Sequence, residues 1–221
     1  MLQKESVRKP LWNLLKELQK SEVFSNYFLV GGTALTLQLG HRISDDIDLF
    51  TRQNINKDEI LDFFNVNYNG KCQIINIQNN ILQIIVNGIK IDMVKYDYEL
   101  IEDIRTDSGI RYLGKKDIAA MKLMAIANRG DQAKDFIDIY YLLKEISLKE
   151  MFEYYKQKYK QIDISPIKKS IIYFDDITES NWLSVKLRQD KLSVKKIKQK
   201  IINEANKYNE YIVGNIQKTG E

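Results

Sequence analysis

The sequence predicts an α+β fold: a small mixed β-sheet with flanking helices, followed by a helical carboxy-terminal half. Three observations predict it. Between Lys71 and Lys95 three β-branched, alternating runs, CQIINIQ, ILQIIVN and IKIDMVKY, are separated by Asn79-Asn80 and Asn87-Gly88, and Asn-Gly between such runs is a strong hairpin signal. Before them, the apolar run Tyr27-Phe28-Leu29-Val30 is stopped by Gly31-Gly32. From about Gly114 onward, apolar residues recur at helical spacing with no convincing strand among them.

The elements follow in order. Leu11, Trp12, Leu14, Leu15 and Leu18 recur at helical spacing and open the chain with an amphipathic helix. Tyr27 to Val30 reads as a buried strand, and Thr33 to Leu39 as a helix ended by Gly40. The polar turn His41 to Asp45 leads into a second strand, Asp46 to Phe50, and Asn56 caps a helix carrying Ile60, Leu61 and Phe64. Three strands joined by two hairpins come next. Beyond Gly114, helices are predicted over Lys116–Asn128, Gln132–Lys144, Leu148–Tyr159, Ile167–Phe174 and Val194–Tyr211, punctuated by Gly130-Asp131, Ile146-Ser147 and Ser165-Pro166. The expected organisation is an α+β core over residues 1–113 and a helical region over 114–221, without flexible linker or repeat. The Lys-, Gln- and Asn-rich last helix reads as a solvated face.

Composition narrows the chemistry. Of 221 residues, 44% are hydrophobic and only two are proline, which suits a sizeable core and argues against disorder. The single cysteine, Cys72, forms no internal disulfide, and with His41 as the one histidine the chain cannot build a multi-His or Cys-rich zinc site. Catalysis therefore falls to carboxylates, lysines, arginines and a hard metal. The net charge of +4 permits a polyanionic partner without demanding one. No signal peptide and no run of about 18 apolar residues is present, so a soluble cytoplasmic protein with no membrane association is expected.

The chemistry concentrates in LVGGTALTLQLGHRISDDIDLF, Leu29 to Phe50. Gly31 and Gly32 sit at a strand-to-helix junction where a missing Cβ lets a phosphate approach, and the helix start adds unpaired N–H groups and the Thr33 hydroxyl. Alternation along a strand puts Asp46 and Asp48 on one face, about 7 Å apart, with Ile47 and Leu49 toward the core. That pair suits Mg²⁺ or Mn²⁺ between its oxygens; the other reading is an exposed acidic edge. In the later strand Ile89, Ile91 and Met93 share one face and leave Asp92 on the other. If that strand neighbours the first, three carboxylates converge; otherwise Asp92 is an ordinary outer-strand residue.

A second block, DIAAMKLMAIANRGDQAKDFIDIYYLL, runs from Asp117 to Leu143. Lys122 and Arg129 lie close to two helical turns apart, and Lys134, Asp135 and Asp138 fall within about one turn on the next helix. By themselves these favour an ordinary network of surface salt bridges. His41 reads as a structural donor, and the Tyr140-Tyr141 and Tyr154-Tyr155 pairs as core or rim residues, one of which could stack on a nucleobase.

These blocks carry a resemblance. VGGTAL followed by Arg42, Ser44, Asp46, Asp48, Leu49 and Phe50 resembles the first motif of the nucleotidyltransferase superfamily. With the second block and Asp92, the stretch from Tyr27 to Leu143 resembles more closely the AbiEii/AbiGii abortive-infection toxin family. The resemblance implies a nucleotidyltransferase-like fold and a Mg²⁺- or Mn²⁺-dependent enzyme that transfers a nucleoside monophosphate from an NTP to an acceptor, with RNA such as tRNA foremost. Asp46, Asp48 and Asp92 would hold metal, and Asp92 would help deprotonate the acceptor. Gly31, Gly32, Thr33 and Ser44 would contact phosphates, and Lys122 would neutralise the triphosphate. Arg129, Lys134, Asp135 and Asp138 are implied as nucleotide-binding or as holding those basic groups. The biological setting implied is the toxin of a toxin–antitoxin pair with a cognate antitoxin. Two alternatives stand beside this reading: a small-molecule, antibiotic-type nucleotidyltransferase with an acidic acceptor pocket, and a non-catalytic nucleotide- or nucleic-acid-binding module whose aspartates do not converge.

Overall fold

The computed structural model describes residues 1–69, 71–188 and 192–219. It divides into two compact units, residues 1–114 and 115–221, each with its own core.

In the first unit, helix α1 (Lys9–Lys20) carries Pro10 in its first turn, where a missing N–H matters little, and buries Leu11, Trp12, Leu14, Leu15 and Leu18. Strand β1 (Phe28–Leu29) is only two residues long and runs through Val30 into α2 (Gly31–Leu39), which ends at Gly40 in the left-handed conformation. Strand β2 (Ile47–Thr51) follows, then α3 (Lys57–Tyr68), whose cap Asn56 accepts a hydrogen bond from the Glu59 amide. The three alternating runs become β3 (Cys72–Gln78), β4 (Ile81–Val86) and β5 (Ile89–Lys95), antiparallel neighbours as the Asn-rich turns require.

Two strands lie outside the runs read from sequence: β6 (Arg105–Asp107) and β7 (Ile110–Tyr112), an antiparallel hairpin turning at Ser108-Gly109, both at positive φ. At three residues each they are too short for a visible period of two, and the Ser-Gly turn is their one sequence signal. These strands of the described residues form one seven-stranded sheet in the order β3-β4-β5-β2-β1-β7-β6. The β2–β5 and β1–β7 pairs are parallel, and the β1–β2 pair is antiparallel. One face is the core: Ile47, Leu49, Leu82, Ile84, Val86, Ile89, Ile91 and Met93 are all buried. Arg111 fastens the β7 side to the amino-terminal segment through the carbonyls of Gln19, Phe24 and Tyr27.

The second unit is helical: α4 (Lys115–Arg129), α5 (Ala133–Leu142), α6 (Leu148–Tyr159), α7 (Ser165–Ser170), α8 (Glu179–Ser184) and α9 (Val194–Thr219). Helix α4 packs against α5, α6 and α7, while α9 packs against α5 and α6. A capping box of Ser147 and Glu150 starts α6 where the sequence expects it. Helix α7 stops at Ser170, short of the expected Phe174, and α8, capped by Thr178, is one more short element the periodicity did not resolve. Along α9, Ile197, Ile201, Ala205 and Tyr208 are buried at helical spacing, so the lysine-rich side is the solvated face expected. Among the described residues no helix is long and apolar enough to cross a membrane.

Candidate active site

The parallel pairing of β2 with β5 decides the site's geometry. Asp48 is the register partner of Asp92, flanked by Ile47 opposite Ile91 and Leu49 opposite Met93. Neighbouring side chains in register point to the same face, so the apolar partners go to the core and the two aspartates share the other side. The row continues into β4 and β3, where Gln83 partners Asp92 and Asn76 partners Gln83, with the Asn76 amide donating to Gln83 at 3.1 Å.

Asp92 has two different oxygens. Oδ2 lies 2.6 Å from the Lys90 ammonium, two residues away on the same face. Oδ1 is buried and accepts no hydrogen bond, an arrangement that is costly unless a ligand completes it. Oxygen donors from a carboxylate pair, one of them buried and lacking a donor, fit a hard divalent cation. Among the described residues, however, no three acidic, histidine or cysteine side chains gather into one metal-holding group. The expected convergence of three carboxylates is therefore a pair in this structure. Asp46 precedes the first residue of β2, outside the ladder that aligns Asp48 with Asp92.

The glycine corner is shaped by its neighbours. Gly31 has φ +66°, and a Cβ there would overlap Asp48 Oδ2; a Cβ on Gly32 would overlap Arg42 Nη2. The space left by the two missing side chains is thus filled by the Asp48 carboxylate and the Arg42 guanidinium, so the pair seats protein groups closely in addition to leaving backbone exposed. Thr33 is buried, and its hydroxyl bonds Ser44 Oγ (2.8 Å) and the Asp46 carbonyl. Ser44, also buried, donates its amide to the Ser6 carbonyl at 3.0 Å. The two hydroxyls expected at phosphates are here engaged in fixing the loop that delivers Asp46 and Asp48. Thr36 adds a bond to the Arg42 carbonyl at 2.6 Å. His41 is fully buried, in keeping with a structural role.

In the helical unit α4 does reach Arg129, and its Lys122 and Arg129 meet one carboxylate. The Lys122 ammonium lies 2.6 Å from Asp135 Oδ1 and 2.6 Å from Asp138 Oδ2, with all three side chains buried. Arg129 bonds the other Asp135 oxygen at 3.0 Å while 53% of its side chain stays exposed. Burial alone would raise the Asp135 carboxyl, but attraction and hydrogen bonding from Lys122, with help from Arg129, hold it below the ordinary aspartate value. Lys134, half-buried on the same helix, stands next to this cluster in sequence. The block is therefore a buried charge frame rather than a set of surface salt bridges, and Arg129 is its most open member. Sequence reasoning missed Lys90 and Gln83, although their alternation with Ile91 and Ile84 places them on the Asp92 face.

The family model described as "Nucleotidyl transferase AbiEii toxin, Type IV TA system" matches residues 13–200. An uncharacterized protein of Aquifex aeolicus is similar, 36% identical over 169 residues that cover 75% of this chain and 82% of that one. Among solved structures, MenT4, a nucleotidyltransferase toxin from Mycobacterium tuberculosis, aligns with a TM-score of 0.58 at 12% identity, covering 89% of this chain and 80% of its own. JHP933 from Helicobacter pylori aligns with a TM-score of 0.54 at 17% identity over all of both chains. These two show a shared fold.

Proposed function

Because the chain belongs to the AbiEii nucleotidyltransferase toxin family, we propose that it moves a nucleoside monophosphate from an NTP onto an RNA hydroxyl, tRNA being the foremost acceptor. The observation that carries this reading is the in-register Asp48–Asp92 pair with its buried, donor-less Oδ1. Membership implies an NTP substrate and a cognate antitoxin. Asp48 and Asp92, with Asp46 as the outer member, would hold Mg²⁺ or Mn²⁺. When bound there, such an ion supplies charge neutralisation for the triphosphate.

The chain's own groups do the rest. The acceptor oxygen attacks the α-phosphorus, the α–β bridging bond breaks and pyrophosphate leaves, while the acceptor's proton passes toward Asp92. Lys90, beside Asp92, lowers the cost of placing two carboxylates and a triphosphate together. Gly31 and Gly32 offer backbone N–H groups at the start of α2 to phosphate oxygens, and Thr33 and Ser44 keep that corner and the aspartate strand in fixed relation. The helical unit, taken by itself, keeps the Arg129 guanidinium open beside the buried Asp135 carboxylate. Lys122, Asp135 and Asp138 form the frame that aims that guanidinium, with Lys134 as an added cation.

The test is incubation of the protein with each radiolabelled NTP and total RNA, with and without Mg²⁺, alongside Asp48→Asn. Metal-dependent label on RNA, lost in the variant, supports the reading. Label appearing only on a small molecule, or on nothing, overturns the RNA acceptor.

A further inference from the structure

The helical unit contains a cavity of ≈ 370 Å³ whose wall includes Asn128, Arg129, Lys169, Ser170, Tyr173 and Asp176. Its size lies within the range of small-ligand sites, about 300–1,000 Å³. Three features of the wall indicate what fits. Arg129 is held at 3.0 Å by the buried carboxylate of Asp135 while half its side chain remains open, which makes it a pre-aimed cation. Lys169, on the last turn of α7, is exposed and supplies a second positive charge. Tyr173 leaves 48% of its surface open, and its hydroxyl lies 3.4 Å from Asp176 Oδ1.

Two cations, an open aromatic face and a carboxylate make a wall of mixed sign. A bare phosphate would use the cations alone, and an apolar ligand would use neither charge. A nucleoside phosphate uses all of them: phosphate on Arg129 and Lys169, base stacked on Tyr173, and an exocyclic amine toward Asp176. Ser170 donates its hydroxyl proton to the Pro166 carbonyl at 2.9 Å, which leaves its oxygen as an acceptor for a ribose hydroxyl.

We propose that this cavity is a nucleotide subsite that seats one residue of the single-stranded acceptor. The proposal rests on the RNA-acceptor reading and names the surface that binds the strand. The same chemistry could come from a free mononucleotide, so the experiment carries an arm for each.

The experiment is fluorescence anisotropy of the full chain with a labelled single-stranded RNA 12-mer, and competition with AMP, both without divalent metal. Lys169→Glu and Tyr173→Ala lie at exposed positions where the fold tolerates change. Tyr173→Ala is expected to weaken RNA binding roughly tenfold to a hundredfold, the size of one stacked base, and Lys169→Glu to weaken it through the lost phosphate contact. Tyr173→Phe should restore most of the loss, because stacking needs only the ring. The slope of log affinity against log salt should fall by about 0.7 in Lys169→Glu for one lost phosphate contact. Loss of AMP competition with RNA affinity unchanged would assign the cavity to a free nucleotide and overturn the strand proposal. Unchanged binding of both ligands would overturn the subsite altogether. Asp48→Asn separates the two readings: it should keep RNA affinity while losing metal-dependent NTP binding.

Discussion

Asp48 and Asp92 are register partners on the parallel strands β2 and β5, so the backbone ladder, and not a flexible loop, fixes the relation of the two carboxylates. Neutralising either leaves the strands paired and removes one donor. Asp48→Asn and Asp92→Asn should each lower metal-dependent nucleotide transfer by about 10²- to 10³-fold with little loss of folding. The rate of label transfer from the radiolabelled NTP, set beside a thermal melt, checks both halves of that statement.

Lys90 occupies Asp92 Oδ2 at 2.6 Å and so competes with any cation drawn to that oxygen. Lys90→Ala should tighten Mn²⁺ binding, read by electron paramagnetic resonance of the free ion. Identical affinity in the variant and the parent would show that the ammonium and the metal do not share the carboxylate.

A methyl at Gly31 meets two penalties, a positive φ and overlap with Asp48 Oδ2. The backbone term alone is about 1–2 kcal/mol, and the carboxylate must also move. Gly31→Ala should therefore lose transfer activity on the order of 10²-fold, the scale of an ångström's misplacement. Crystallography of the variant would show whether Asp48 has rotated away.

The Asp135 carboxyl titrates below its ordinary value in the folded chain. As pH falls, the unfolded chain takes up that proton first, so the stabilisation is complete above the ordinary aspartate range and drains away through the lower folded value. Denaturant melts from about pH 5 down to 2 should show a steep loss of stability, and Asp135→Asn should flatten it while lowering stability at neutral pH. Parallel curves for the two proteins would count against the assignment.

Lys158 and Asp117 form an ion pair at 2.6 Å with neither side chain exposed. Lys158→Met takes the ammonium away from a buried carboxylate and should cost about 3–5 kcal/mol. Adding Asp117→Leu should recover most of that loss, since an apolar pair of similar volume fits a helical core. Urea denaturation of the three proteins measures the coupling.

Much of the fold is legible in the sequence because it rests on periodicity. The alternation in IKIDMVKY is enough by itself to put Asp92 opposite the core face, and Asn56, Gly40 and Ser147 mark helix ends by their own chemistry. Pairing across distance is not legible in the same way. Nothing in β2 states that its parallel neighbour is β5, nor that Asp46 falls one residue before the ladder begins. The contents of the glycine corner are hidden for the same reason: a sequence shows that Cβ atoms are missing, but not that Asp48 and Arg42 fill the space. Lys122 stands out as a conspicuous cation but not as a buried one, since burial depends on how α4 and α5 pack.

Strand β1 lies between β2 and β7, and its Leu29 pairs in parallel with Tyr112, while the Arg111 amide donates to Gln19 across 92 residues of chain. During synthesis, then, the opening segment waits for most of the first unit to emerge before its second neighbour exists. Contacts of such long sequence separation slow folding. A chain cut before residue 112 would lack the hairpin that flanks β1 and would leave that strand's second edge bare.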